Sequence, residues 1–558
     1  MKTYHLVSLA FLAACASDHT SSVRFANAPV VTAVDDRRPV TTDPEPRPFA
    51  RTLYHLRGNF VRRVERGLEV PRPRRALGVN ALDEVPSSTW FTNRIGVREV
   101  TPDEIRRGPG NVGNPDLHLP WTVKSTKVGG KSIGFIIKDA RGEKWVLKFD
   151  GVGVAEIETG PDAISSRLLW AAGYNTPEDH VVYFRPENLL LAKDAKVKDV
   201  FGGETRLDEA ALQRLLAKVE HGKDGRIRGL ASRFLDGKWL GGHLVEGTRP
   251  DDPNDRIPHE LRRDLRGAAA LYAWLDHADI KEDNFLDMLV TDPADPSRRY
   301  IKHYAIDLGL TLGAMGATAF DPRRSFSYAF DVGEIATSLA SAGTAVRPWE
   351  KRIDPKVPGV GWFSADDFDP GAWKPYTPTY LPVKMADRLD NFWGAKIMMR
   401  FTRDHLAAAI ETARYTNPAT SGYVLDTLIA RQRKSGRYWF ERTNPLDGFQ
   451  MVGSAVCFDD LLLRYELEAP GTKTFYQIAV TDRAGHRIAQ RDNARVPIRA
   501  TPGGSTCTPF LALSGEGDGY SIIRLRTRRS NGFDMSTWVH VARDPNRGTF
   551  RVIGIWRQ

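Results

Sequence analysis

Apolar and polar positions change rhythm several times along the chain, and each change marks an expected element. Alternation with a period of two runs over Trp121–Lys127, Ile133–Lys138 and Lys144–Phe149, which predicts three strands. Val128-Gly-Gly-Lys-Ser132 breaks the first pair, and Asp139–Gly142 reads as the turn before the third. Over Pro161–Ala172 the spacing becomes helical: Ile164, Leu168, Leu169 and Ala172 share a face, and Gly173 is the natural stop. Strand pattern returns at Pro177–Phe184 and Gly229–Leu235. A helix is expected over Asp255–Trp274, opened by Asp255 and Pro258, followed by a hairpin of Phe285–Val290 and Tyr300–Ile306. Helical patterns then cover Ser327–Ser341, Lys384–Arg400, Arg403–Thr416 and Gly422–Arg433. After about Pro445 the pattern is mostly strand: Leu461–Leu467, Phe475–Val480, Tyr520–Leu525, Trp538–Ala542 and Phe550–Trp556, which predicts a separate antiparallel sandwich.

At 558 residues the chain exceeds one ordinary core, and two or three domains are expected. Its 41% hydrophobic and 27% charged residues are globular values, so most of it should fold. The net charge of +10 is spread along the chain, and no arginine run interleaved with aromatics forms a nucleic-acid groove. Nucleic acid is therefore not an expected partner. Lys2 and the apolar Leu6–Ala14 read as an export signal too short for a permanent span. It ends in Leu12-Ala-Ala-Cys15, which resembles the bacterial lipobox. That resemblance implies diacylation of Cys15 and anchoring in the cell envelope. With Ala16 next, it implies the outer membrane, facing the periplasm or the cell surface.

The expected divisions are a signal and lipobox (1–15), a proline-bearing flexible linker (16–51), an N-terminal extension on the catalytic domain (52–117), a catalytic domain (118–445) and a β-sandwich (446–558). Within the extension, the aromatic string Ala81–Arg94 is expected to wrap that domain. Cys457 and Cys507 are either one disulfide or two buried thiols.

The chemistry concentrates in two strings. His277-Ala-Asp279-Ile-Lys281-Glu-Asp-Asn284 follows the expected helix, and Asp307-Leu-Gly309 follows the hairpin. The spacing suits phosphoryl transfer: a carboxylate to receive a hydroxyl proton, then a lysine, an asparagine and a second carboxylate for phosphate and metal. These strings match the H-x-D-x-K-x-x-N loop and, with Leu308 for phenylalanine, the D-F-G of the protein-kinase-like superfamily. With Val-Leu-Lys148 upstream and no A-P-E segment, the chain resembles its atypical members, such as HipA-type and secretory-pathway kinases, over about residues 118 to 440. The implied fold is α+β: a two-lobed protein-kinase-like catalytic domain, here followed by the sandwich.

The resemblance also implies roles and cofactors. Asp279 would accept or orient the acceptor's hydroxyl proton, and Lys281 would neutralise the transferring phosphoryl group. Asn284 and Asp307 would hold Mg2+ against the phosphates of ATP or another nucleotide. Lys148 would contact the α- and β-phosphates, partnered by Asp162, with Glu156 and Glu158 as alternatives. Gly129, Gly130 and Gly134 would bring backbone amides to the phosphates. Phe234 and Leu235, in Ser232-Arg-Phe-Leu235, would form the adenine-facing hinge.

Other readings are weaker. Gly130-Lys131-Ser132 mimics the end of a P-loop, but Ser125 replaces its first glycine and a strand follows. His259-Glu260 starts a zincin-like string that Arg263 ends. A non-catalytic envelope-binding or scaffold lipoprotein is the alternative to an enzyme. A sandwich with Trp538 and Trp556 as sugar platforms is a third, although core aromatics are the commoner use of such residues. The acceptor is left open.

Overall fold

A computed structural model of the protein describes residues 23–47, 51–62, 75–127, 133–199, 203–315, 321–492 and 496–558. The alternating stretches form β1 (Trp121–Thr126), β2 (Gly134–Lys138) and β3 (Lys144–Lys148), successive antiparallel neighbours. They are joined by β4 (Asp179–Phe184), β5 (Leu189–Lys198), β6 (Glu204–Arg206) and β7 (Ile227–Arg233). The seven-stranded sheet has the order β4-β7-β3-β2-β1-β5-β6, and β5 runs parallel to β1. Its inward positions, Trp121, Val123, Phe135, Trp145 and Leu147, make one apolar core.

Helix α2 (Thr159–Ala172) comes between β3 and β4 in the chain, where a helix is expected, α1 being the short Arg51–Leu56 near the N-terminus. Asp150 satisfies its first turn, accepting from Glu158 N at 2.8 Å and Thr159 N at 3.0 Å. Gly173 ends it at φ 137°, where a Cβ would lie 2.2 Å from the Phe91 ring. Phe91 belongs to the aromatic string Ala81–Arg94, so that string does wrap the domain. Trp90 beside it stacks on His303 at 3.4 Å.

The second lobe is helical. It contains α3 (Arg263–Leu275), α4 (Val332–Ala340), α5 (Arg388–Met398), α6 (Arg403–Glu411) and α7 (Pro418–Phe440). Helix α3 is buried along its whole length. Gly267 lets α5 approach it: a Cβ there would meet Trp393 at 2.4 Å. α3 starts later than Asp255 because Asp255 is used elsewhere. It accepts from Arg249 N at 2.6 Å and pairs with His259 at 2.7 Å, holding the residues before the helix in a loop. Between the lobes, β8 (Lys238–Trp239), β9 (Phe285–Asp292) and β10 (Asp295–Ala305) form a three-stranded sheet containing the expected hairpin.

The C-terminal part has two antiparallel sheets. One holds β11 (Leu446–Val452), β12 (Ala455–Asp460) and β15 (Ser505–Cys507). The other holds β13 (Thr474–Asp482), β14 (Ile498–Arg499), β16 (Ser521–Arg529), β17 (Asp534–Arg543) and β18 (Phe550–Arg557). Their inner faces share a core of Val456, Phe458, Tyr476, Val480, Leu525 and Val541. The class is therefore α+β, two lobes followed by antiparallel sheets. Cys457 and Cys507 are directly paired across β12 and β15 and form the disulfide.

Three expectations change. Leu461–Arg464 is a helical turn rather than a strand, because Asp460 caps it through Leu462 N at 3.2 Å while holding Arg529 at 2.8 Å. Trp538 is a core residue packed with Tyr520 and Ile522, and Trp556 carries Arg75 over its ring at 3.5 Å, so neither is an open sugar platform. Residues 23–47, read as part of a flexible linker, instead lie as an extended strap. Phe25 packs on His540 at 4.9 Å, Val40 is buried with Leu240, Leu289 and Ile301, and Arg47 reaches Glu282 at 2.9 Å. Its prolines lack N–H groups and tolerate extended backbone, while the N–H groups of Val34, Val40 and Arg47 donate to Ser87 O, Arg299 O and Leu240 O. Cys15, Gly129 and Gly130 lie outside the described residues.

Candidate nucleotide and metal site

Three elements converge where the lobes meet. Lys148 ends β3, Asp162 sits in the first turn of α2, and Asp307 follows β10 with φ 56°, a conformation unusual outside glycine. Lys148 Nζ lies 2.7 Å from Asp307 Oδ1 and 3.6 Å from Asp162 Oδ2. Between the alternatives for the lysine's partner, the geometry selects Asp162. Glu156 turns away to accept from Thr416 N at 2.9 Å. Glu158 lies beside the Asp-Leu-Gly turn, its Cβ 3.5 Å from where a Gly309 Cβ would be.

The electrostatics follow from this packing. The adjacent Lys148 ammonium holds the Asp307 carboxyl well below the usual carboxylate range, although burial opposes it. Burial alone would lower Lys148, but Asp307 and Asp162 outweigh it and keep the lysine charged. Burial pushes Asp162 up to about 8, against the pull of Lys148. Glu158 is pushed up to about 7 by burial and then by Asp150 and Asp307. Three carboxyls thus crowd one lysine, two of them held toward the neutral form, and a bound cation would favour their ionisation.

The catalytic-loop string is brought to the same place by backbone bonds. Ile306 N donates to Asn284 O at 2.9 Å, which sets Asn284 next to Asp307. Asn284 Nδ2 donates to Asp279 O at 2.6 Å and to Asp279 Oδ2 at 3.3 Å. Lys281 pairs closely with Asp279 and lies 3.7 Å from Asp283. His277 is buried, and burial lowers its imidazole to about 4, so it is a neutral ring that bonds the Leu310 backbone. The Asp-Leu-Gly turn is docked on α2 through Thr311. Thr311 shares a 2.7 Å hydrogen bond with Ser165 and donates to Leu308 O at 2.9 Å.

The donor set fits a hard divalent cation. Asp307 opens 52% of its side chain to the cleft, and Asn284, with Nδ2 committed to Asp279, has a carbonyl oxygen to offer. Among the described residues no cluster of three or more His, Cys, Asp or Glu side chains forms a complete metal cage. Oxygens from a bound phosphate would have to complete the shell.

Three predicted residues have structural reasons of their own. Gly134 lies opposite Lys148 in β2, where a Cβ would sit 2.5 Å from Leu147 O, so strand packing alone demands glycine. Phe234 and Leu235 do link β7 to β8. Phe234 N donates to Lys144 O at 2.9 Å, and Leu235 packs beside Met288, Val290 and Tyr300.

The strings did not reveal what holds the loop. Asp276, one residue before His277, adopts φ 53° and is buried. It accepts from Arg324 Nε at 2.9 Å, from Trp373 Nε1 at 2.9 Å and from Ser325 Oγ, with Arg431 3.9 Å away. Arg324 also donates to Asp276 O at 2.6 Å and Leu310 O at 2.8 Å, tying the catalytic loop to the Asp-Leu-Gly segment. The one clue was an aspartate in the position after a helix where glycine is usual.

No protein-family model and no curated protein matches the sequence. Among solved structures, the chain is similar to the Rio2 kinase–ADP/Mg2+–phosphoaspartate complex from Chaetomium thermophilum. The identity is 16%, covering 56% of this chain and 72% of that one, with a TM-score of 0.21. It is also similar to the Golgi casein kinase with Mn/ADP bound, at 11% identity, 58% and 73% coverage and a TM-score of 0.27. A second Golgi casein kinase structure gives 11% identity, 58% and 72% coverage and the same TM-score of 0.27. Values this low carry no functional weight, and the geometry of the site supplies what can be said.

Proposed function

We propose that the protein is a kinase-like phosphotransferase that moves a phosphoryl group from a Mg-bound nucleotide to a hydroxyl acceptor. One observation carries the reading: a single lysine, Lys148, bridges Asp162 and Asp307, while the Ile306–Asn284 bond places the Asp279 loop against the same carboxylate. Asp307 and Asn284 would hold the cation, whose role when bound is to neutralise phosphate charge. Lys148 would exchange its contact with Asp307 for phosphate oxygens, with Asp162 keeping it aimed. Asp279 would orient the acceptor hydroxyl and take up its proton, and Lys281 would offset charge on the transferring group. Catalysis would rest on positioning and charge, with no covalent enzyme intermediate. We further propose anchoring at the cell envelope through Cys15, on the lipobox-like string alone.

Thermal melting with nucleotides, with and without magnesium, tests the site. A magnesium-dependent rise is expected for the parent. Asp307→Ala should abolish it, whereas Asp279→Ala should retain the rise and lose turnover. No rise with any nucleotide, or turnover at the parent's rate in either variant, sinks the proposal. Binding without turnover in the parent would favour a kinase fold acting as a scaffold.

A further inference from the structure

Apolar side chains that the core does not use gather beside the catalytic loop. α1 and the turn after it expose Leu53, Leu56 and Phe60. α4 has no buried residue, and Val332, Ile335 and Leu339, at i, i+3 and i+7, form one exposed stripe, with Leu339 at 79%. The two parts meet where Phe60 packs on Phe330, with ring centroids 5.2 Å apart. A joined apolar surface of this kind marks an interaction site.

The polar groups of α4 indicate what covers it. Both carboxylates are neutralised: Asp331 by Lys374 at 2.8 Å, and Glu334 by Arg347 at 3.1 Å. The hydroxyls are turned onto neighbouring groups. Thr337 Oγ1 donates to Gly333 O at 2.8 Å, Ser341 Oγ donates to Thr337 O at 2.7 Å, and Ser338 Oγ accepts from Arg347. A helix whose polar groups are already satisfied within the protein suits a medium that offers no hydrogen bonds, whereas protein interfaces supply about one per 100–200 Å2. The exposed Arg57 on α1's side and the net charge of +10 suit an anionic surface.

We propose that this face docks on an anionic phospholipid bilayer, with Val332, Ile335 and Leu339 entering the acyl boundary beside Leu53, Leu56 and Phe60. Docking would hold the catalytic loop close to the headgroups. Tyr376 N donates to Ala278 O at 2.7 Å, and Tyr376 O accepts from Ala329 N at 2.7 Å, two bonds linking the loop to the base of α4. No helix among the described residues is long and apolar enough to cross a membrane. The contact is a surface one, and it does not depend on the nucleotide reading.

The test is flotation of the chain beginning at Ala16, which carries neither an acylated cysteine nor the apolar Leu6–Ala14 segment, with phosphatidylethanolamine–phosphatidylglycerol vesicles and with phosphatidylcholine vesicles. Ile335→Asp/Leu339→Asp should bind the anionic vesicles about 10-fold or more weakly than its parent. Leu117→Asp, at a residue 78% exposed elsewhere, should bind as the parent does. Matching melting curves for the variants would show that folding is intact. Parental binding by the double variant, equal binding to both vesicle types, or no binding by the parent overturns the proposal. So does a concentration-dependent dimer that the double variant breaks, because the face would then cover a second copy.

Discussion

Asp162→Asn separates the stability of the cleft from its chemistry. Asp162 is 4% exposed and lies 3.6 Å from Lys148 Nζ. Burial pushes its carboxyl up to about 8 from 3.8; Lys148 pulls the other way, and Asp179, Asp307 and Glu158 add to the rise. Because the folded value lies above the unfolded one, the folded state binds the proton more tightly. The resulting stabilisation is fully present below about pH 4 and is lost as the pH rises through about 8. A shift of this size is worth at most ~6 kcal/mol at 1.36 kcal/mol per unit. Asparagine removes that loss, but it also takes from Lys148 one of two carboxylate partners, which returns roughly half of the gain. The expected net gain is about 3 kcal/mol near pH 8 and close to none near pH 4. Nucleotide binding should move the other way, since Lys148 loses the carboxylate that aims it, an exchange of function for stability. Denaturant unfolding at about pH 5, 7 and 8.5 reads the first effect, and magnesium–nucleotide melting shifts read the second. An asparagine variant that is less stable at high pH, or whose stability runs parallel to the parent's across pH, refutes the reasoning. Asp162 would then be an ordinary ionised partner of Lys148.

Two further substitutions or treatments probe the frame around the site. Asp276→Ala leaves Arg324 buried without the carboxylate it meets at 2.9 Å, and about 3–5 kcal/mol should be lost in denaturant unfolding; Asp276→Asn should lose less, and equal loss would mean that charge is not what holds the loop. Reducing the Cys457–Cys507 bond, which closes a 50-residue separation, should cost up to about 4 kcal/mol in the C-terminal sheets. Melting with and without reductant should show that transition falling while the magnesium–nucleotide shift persists; loss of both would show that the sheets and the catalytic lobe unfold as one unit.

What could be read from the chain beforehand was the part written at short range. Lys148, Asp279, Asn284 and Asp307 stand in strings whose spacing reflects chemistry, and period-two alternation over Trp121–Lys148 reports a half-buried sheet directly. Asp162 was legible only as one of three candidates, because sequence distance along a helix entrance does not say which carboxylate faces a strand 14 residues earlier. The choice was made by Asp150, which accepts from the backbone N of residues 156, 158 and 159, while Glu156 is turned away from Lys148 and onto Thr416 N.

The misreadings share one physical cause. Pro-rich residues 23–47 have a linker's composition, yet Val40 finds an apolar niche between β8 and the hairpin, and Arg47 finds Glu282, partners 200 or more residues away. Asp276 and Arg324 are also invisible as a pair, since nothing in either neighbourhood marks the other. A site of this kind therefore has two layers. The residues that would touch phosphate and metal lie in compact strings, because a rigid loop must present them together. The residues that make the loop rigid are scattered, because any buried arginine within reach of Asp276 would serve. Substitutions in the scattered layer should consequently lower stability and activity together, while those in the strings should divide them, as the opposite effects expected of Asp162→Asn illustrate.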